Sequence, residues 1–390
     1  MADRILTTHV GSLPRPERVV TQLFAQDSGL NYDPAAFDAV MQAEVNDVVA
    51  RQVQAQVDVV SDGEMGKISY ATYIRHRLTG FELGEMPRAV PLDLDDFPEF
   101  KERLAKLGAT PKYHRPICTG PIAVKDLSAL YKDIDNLKAA CARAAAAGQP
   151  PVRAFMNSAS PGVIAVFQPN KYYADRAQYL QALAEAMRTE YEAIVAAGLD
   201  LQIDAPDLAM GRHIQFRDVD DAEFLRNAHL QVEALNHALR NVPPERVRMH
   251  VCWGNYEGPH HRDIGLDKII DVVLKAKPGT VLFEGANPRH AHEWEVWAKA
   301  ASEKRIPDNK ILAPGVLDTV NNFIEHPRLV AQRLLTYANI VGRDRVMAAS
   351  DCGFGTFAGF GAIHPPICYA KLASMAEGAR MASDELWKTP

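Results

Sequence analysis

The chain has 390 residues, 47% of them apolar and 24% charged, and a net charge of −6. That length suits one large α/β barrel or two domains, and the composition is that of an ordinary soluble protein, while the negative charge argues against a nucleic-acid binder. No apolar run reaches the roughly 18 residues of a membrane helix, Met1–Val10 lacks a secretory core, and five irregularly spaced cysteines give no disulfide framework, so a reduced, cytoplasmic protein is expected.

In chain order, short β-rich runs alternate with stretches of helical periodicity. Strands are expected at Ile5–Val10, Val57–Asp62, Pro116–Thr119, Val152–Asn157, Leu201–Asp204, Arg248–Cys252, Thr280–Glu284, Lys310–Pro314 and Val346–Ser350. Helical patterns fall between them, at Pro34–Gln56, 175–197, Asp220–Arg240, Asp267–Leu274, His290–Ala300, Pro327–Ile340 and Pro365–Leu386. In 175–197 the apolar residues Leu180, Leu183, Met187, Tyr191 and Ile194 recur at three and four residues, and Gly198 supplies the stop. This alternation predicts a parallel sheet, and the count predicts a (β/α)8 TIM barrel occupying residues 1–390 as one domain. Nine strands compete for eight places. Pro116–Thr119 is the weakest, because it follows a long Pro-bearing excursion at about 68–115 and not a clean helix. That excursion reads as an insertion beside the barrel mouth. Its acidic run Asp93–Glu99 lacks the ordered spacing of a calcium loop and reads as a solvated surface stretch.

Polar residues gather at strand ends. Thr8 to Ser12 end the first strand, Asp62-Gly63-Glu64 the second, and Asp204 closes Leu-Gln-Ile-Asp. His250 and Cys252 end the Arg248–Cys252 run, Glu284 ends Thr280–Glu284, and Cys352 follows Val346–Ser350. In a strand, residues two apart point to one side, so His250 and Cys252 can grip one ion together. His250, Cys252, Glu284 and Cys352 are therefore the candidate zinc ligands. Two thiolates, an imidazole and a carboxylate suit the capture of a thiol as thiolate better than the making of hydroxide. Glu257 and Glu293 compete with Glu284, but one sits in a Gly/Pro loop and the other on a helix. Cys118, Cys141 and Cys368 read as small buried hydrophobes. His260 is a candidate acid at the pocket, and His290 and His292 are candidate capping or supporting groups. Strand ends of a barrel form one face, so all of these can meet around one pocket.

The stretches THVGSLPRP (8–16), SDGEMGK (61–67), QIDAPDLA (202–209), HVCWG (250–254), FEGANPRHAHEW (283–294), APGVLD (313–318) and SDCGFGT (350–356) occur in this order. With them the chain resembles the catalytic barrel of cobalamin-independent methionine synthase. Trp253-Gly254, PRHAHEW and EHPRLV (325–330) are similar to the branch containing epoxyalkane:coenzyme M transferase. The resemblance implies a barrel with zinc on His250, Cys252, Glu284 and Cys352. It also implies that Ser12, Glu64 and Asp204 bind an amino-acid thiol. Glu64 and Asp204 are the candidate catalytic residues, and Trp253 is a further candidate substrate contact. One departure matters. The family places a proton-donating His just after the Pro-Gly-Val strand end, and here that place holds Val320.

The function expected is zinc-dependent S-alkyl transfer, with a small thiol and an alkyl donor as partners, no nucleic acid or membrane, and self-association left open. An epoxyalkane:coenzyme M transferase-like reaction is ranked first, and methyl transfer from methyltetrahydrofolate to homocysteine is the alternative. A zinc hydrolase using Glu64 or Asp204 as base, or a non-catalytic zinc-stabilised protein, follow as further readings.

Overall fold

A computed structural model describes residues 3–30, 32–84, 90–107 and 115–388. Its strands in chain order are β1 (Leu6–Thr7), β2 (Val59–Val60), β3 (Phe81–Gly84), β4 (Arg115–Cys118), β5 (Arg153–Ala159), β6 (Asp200–Asp204), β7 (Val247–Val251), β8 (Thr280–Phe283), β9 (Ile311–Leu317) and β10 (Met347–Ser350). Eight of them form one parallel sheet in the order β1-β10-β9-β8-β7-β6-β5-β2, wrapped by helices. This is the expected (β/α)8 barrel. The expected strand at Pro116–Thr119 is β4. It takes no place in the wall, but pairs antiparallel with β3, a strand the sequence pattern did not reveal.

The helices follow their local signals. Pro34–Gln54 starts with Pro at its first position, and Asp33 accepts from Ala35 N and Ala36 N. Arg176–Ala196 is capped by Asp175, which accepts from Gln178 N, and Asp221–Ala238 by Asp220, which accepts from Glu223 N. The helix Pro161–Phe167, capped by Ser160, was not anticipated. Strand alternation divides the core. Val247, Met249 and Val251 join the apolar layer beneath the helices, whereas Leu282, Ala313, Met347 and Ala349 pack with Val10, Val59 and Phe155 inside the barrel. Arg248 also lies in the interior, donating to Thr8 Oγ1 (2.7 Å) and His9 O (2.6 Å) with its guanidinium over the Phe155 ring.

Closure of the wall is uneven. Among the described residues no backbone ladder joins β1 to β2. Asp58 links them instead: its Oδ2 accepts from Thr7 N (2.9 Å), its own N–H donates to Thr7 Oγ1 (3.0 Å), and Arg4 grips both carboxylate oxygens. Thr8 Oγ1 donates to Val59 O at 3.1 Å.

The insertion carries the helix Ile74–Arg77, the β3–β4 hairpin, a short 3-10 turn Leu92–Asp96 and the helix Pro98–Leu107. A buried network anchors its start to the barrel: Tyr73 Oη donates to Glu190 Oε1 (2.6 Å), while Arg77 reaches Glu190 (2.9 Å) and Asp133 (2.7 Å). The acidic run is exposed over residues 95–99, as expected of a surface stretch, but its first residue turns inward. Asp93 is fully buried and accepts from Tyr256 Oη (2.6 Å) and His260 N (2.8 Å). Asp96 holds His261 and Arg262 at 2.8 Å each. The run therefore fastens the insertion onto the loop after β7. The 3-10 turn is what directs Asp93 inward while Asp95 and Asp96 remain nearer solvent.

Candidate metal centre

The inward phase of each strand delivers the site. On β7 Arg248 and His250 face the interior, and Cys252 continues that phase beyond the strand end. On β8 Leu282 faces inward, and Glu284 is two residues further on. On β10 the register shifts between Ala349 and Ser350 before the chain reaches Cys352. One donor atom from each of His250, Cys252 and Cys352 lies within 4.8 Å of the others, and all three residues are buried. They are the one such group among the described residues.

Glu284 borders this group without being part of it. It is buried; its Oε1 accepts from Trp253 N at 2.8 Å and its Oε2 from Asn287 Nδ2 at 2.5 Å. Burial first, and the nearby Cys252 and Asp351 charges after it, push the Glu284 carboxyl up to about 8. The Cys352 thiol donating toward Cys252, with His250 beside it, holds the Cys252 thiol well below its ordinary range. Cys352 moves the opposite way, because that hydrogen bond and burial favour its protonated form. Burial opposes charge on His250, yet Cys252 and Asp204 raise it to about 10.

The remaining candidates line the adjoining wall. His250 Nδ1 is 3.7 Å from Asp204 Oδ1. Asp204 Oδ2 accepts from Asn157 Nδ2 (2.9 Å) and Oδ1 from Gln202 Nε2 (3.0 Å). Glu64 has a left-handed φ of 57°, a strained setting for a non-glycine residue. The setting is held by Asp62 Oδ1, which accepts from Glu64 N at 3.0 Å, and by Arg15 Nε, which donates to Glu64 O at 3.0 Å. Glu64 Oε2 is buried with no hydrogen-bond partner, and so is Arg15 Nη2, 3.7 Å away. Burial and the Asp204 charge raise the Glu64 carboxyl to about 7. Ser12 is buried against Gly353, where any side chain would collide with the Ser12 hydroxyl.

Trp253 is almost fully buried, donates its indole N–H to Ile264 O (2.6 Å) and stacks on His290 with ring centroids 4.0 Å apart. His290 spans Glu293 Oε2 (2.9 Å) and Asp263 Oδ2 (3.1 Å). His260 Nδ1 meets the same Asp263 oxygen at 2.8 Å, and its Nε2 meets Tyr256 O at 3.0 Å. Both ring nitrogens of His260 are thus engaged within the loop. Glu293 accepts from Leu266 N at 2.8 Å. Val320 lies in the loop after β9, its N–H donating to Asp318 Oδ1 (2.8 Å), next to Thr319, which donates to Asn255 Oδ1 (2.9 Å).

Sequence reasoning missed Asp351, Asn287, Asp263 and Arg15. For Asp351 a signal existed: an acidic residue directly before a candidate ligand at a strand end, where ligand-orienting groups are common.

No family model matches the chain. It is 26% identical to a methionine synthase of Saccharolobus solfataricus over 386 residues, covering 97% of this chain and 95% of that protein. It is 23% identical to a methionine synthase of Sulfurisphaera tokodaii, covering 97% and 93%. A B12-independent methionine synthase from Shewanella sp. W3-18-1, solved with selenomethionine, superposes with a TM-score of 0.72 at 18% identity, covering 98% of this chain and 99% of the other. A putative vitamin-B12-independent methionine synthase from Listeria monocytogenes gives 0.64 at 15% identity, covering 99% and 100%. The likeness to methionine synthases marks the chain as a transferase. Over nearly its whole length the chain is similar to methionine synthases, and it shares the fold of the B12-independent ones; the epoxyalkane:coenzyme M branch gains no support from these relatives.

Proposed function

We infer that the protein transfers a methyl group to the sulfur of a small amino-acid thiol of the homocysteine type, with zinc held by His250, Cys252, Cys352 and Glu284. The donor set suits that metal: two sulfurs and an imidazole already lie within 4.8 Å of one another, with one thiol held far toward its thiolate form. Bound there, zinc supplies a thiophilic charge that lowers the pKa of an incoming thiol.

The observation that carries the substrate class is Glu64. Its Oε2 is buried and unpartnered, and Asp204 is close enough to raise its pKa. The buried side chains of Lys67 and Arg15 offset these two carboxylate charges only in part, since the Glu64 carboxyl stays raised, and the α-ammonium of an amino acid supplies a further cation. An anionic tail such as a sulfonate would face both charges, which counts against coenzyme M. Arg15, with Nη2 unpartnered 3.7 Å from Glu64, is the counter-charge available to the substrate's own carboxylate. Asp204 also faces His250 Nδ1 at 3.7 Å, so the amine-binding pair and the sulfur-binding cluster share a wall.

The partners in this reading are a small-molecule thiol and a methyl donor. Zinc-edge X-ray absorption of the zinc-loaded protein, with and without homocysteine or coenzyme M, tests it. Homocysteine is expected to add one sulfur neighbour and coenzyme M none at equal concentration. An unchanged metal environment with homocysteine, or preference for coenzyme M, overturns the reading.

A further inference from the structure

Asp351 is buried and precedes Cys352, and its carboxylate accepts from three consecutive backbone N–H groups of another loop. Oδ1 takes Gly285 N and Ala286 N at 2.8 Å each; Oδ2 takes Asn287 N at 2.8 Å and Asn287 Nδ2 at 3.3 Å. That loop begins at Glu284, and the same Asn287 amide donates to Glu284 Oε2. The Asp351 peptide is tied as well. Its N–H donates to Leu317 O at 2.9 Å, and its carbonyl lies 3.2 Å from His250 Nε2. Space for this arrangement comes from Gly315 on β9, where any side chain would collide with Asp351 Oδ1 and its backbone. One residue thus touches the carriers of three candidate ligands: Cys352 through the chain, Glu284 through the loop, and His250 through a carbonyl.

We propose that Asp351 is a positioning residue of the metal centre, fixing the Glu284 loop against the Cys352 strand end through its three backbone hydrogen bonds and the Asn287 amide. The proposal rests on the zinc reading above. A carboxylate is required for a geometric reason. It offers acceptors on both oxygens, whereas an asparagine offers one acceptor and turns an NH2 toward an N–H. A glutamate carries one more methylene into space closed by Gly315.

The test is zinc affinity by competition with a chromophoric chelator, together with the absorption spectrum of the cobalt-substituted protein. Asp351→Asn is expected to weaken zinc binding about 10- to 100-fold, the cost typical of removing a group that orients a ligand. The sulfur-to-cobalt charge-transfer band should persist, since both cysteines remain, while the ligand-field bands shift. Asn287→Ala leaves Asp351 and its three backbone hydrogen bonds in place and removes the amide between Asp351 and Glu284, together with the oxygen that accepts from Arg289 N (3.0 Å) and His290 N (3.1 Å), and it decides the matter if Asp351→Asn does not fold. It too should weaken zinc binding, and the double variant should bind about as weakly as the worse single one, because both act through the same contact. Wild-type protein that binds no zinc overturns the metal reading itself. Wild-type protein that binds zinc while the folded variant, Asp351→Asn or in its place Asn287→Ala, binds equally tightly and keeps the same cobalt spectrum overturns the positioning role alone.

Discussion

The backbone N–H of Trp253 donates to Glu284 Oε1 at 2.8 Å, so the residue after one candidate ligand holds the side chain of another. With Asn287 on Oε2, both carboxylate oxygens are occupied beside the three-residue cluster. Glu284→Gln keeps an acceptor for Trp253 but places an NH2 against the Asn287 amide. We expect a folded protein whose zinc affinity falls by at least about tenfold. Chelator competition with circular dichroism as the folding control measures this, and undiminished affinity would remove Glu284 from the ligand set.

Zinc should co-purify at about one ion per chain and vanish from a Cys252→Ser, Cys352→Ser double variant. Metal analysis of protein prepared without added zinc checks it. Retention in the double variant would move the ion elsewhere.

Glu64→Gln removes the charge from the buried oxygen that lacks a partner. Loss of a charge-assisted hydrogen bond costs about 1.5–3 kcal/mol, equivalent to roughly 10–100-fold in thiol affinity. Homocysteine titration should show that weakening, with 3-mercaptopropionate, which has no amine, nearly unaffected. Equal losses for both thiols would contradict an amine contact.

Val320 cannot protonate a leaving nitrogen, and a positioned general acid is typically worth about 10²–10⁴ in rate. Slow methionine formation from methyltetrahydrofolate is expected of the wild type, with a measurable gain in Val320→His. Fast wild-type turnover, at about 1–10 per second as in ordinary enzymes, would mean that another group gives the proton.

His9 supplies a pH test of stability. Gly11 N donates to His9 Nδ1 (3.1 Å), so Nε2 carries the proton that reaches Gln52 Oε1 (2.7 Å). Burial lowers this imidazole to about 4, opposed only in part by the Gln52 bond. In the unfolded chain it titrates near 6.5, so between those values the unfolded state binds more protons. The stabilisation is complete above about pH 6.5 and is lost as pH falls toward 4, by on the order of 3 kcal/mol. Urea midpoints across that window should fall more steeply for wild type than for His9→Asn, and parallel slopes would refute the assignment.

The barrel and the His250, Cys252, Cys352 grouping were legible because strand phase is local: two residues along a strand return to the same side, whatever lies opposite. Glu284 was legible by the same rule, but its present hydrogen-bond partners were not. They come from Trp253 and from Asn287, whose orientation depends on a third segment. The β3–β4 hairpin was missed because Phe81–Gly84 is short and without alternation. Asp93 was misread because an acidic run looks solvated until the turn that buries one member is known. Asp58 closes the ring against residues 51 positions earlier, a pairing no pattern in either segment announces.

The side-chain clasp between β1 and β2 sits at the N-terminal end of the strands, opposite the mouth, where Leu13 N donates to Gly63 O (3.1 Å) and Ser61 Oγ to Gly11 O (3.2 Å). Cys252, Glu284 and Cys352 follow β7, β8 and β10, which belong to a continuous backbone ladder, whereas Ser12 and Glu64 follow the two strands that the Asp58 carboxylate holds together. Opening of the wall is therefore expected along the β1–β2 seam sooner than between the laddered strands that lead to the cluster. Amide exchange should be fastest along Leu6–Thr8 and Val59–Ser61 among the barrel strands.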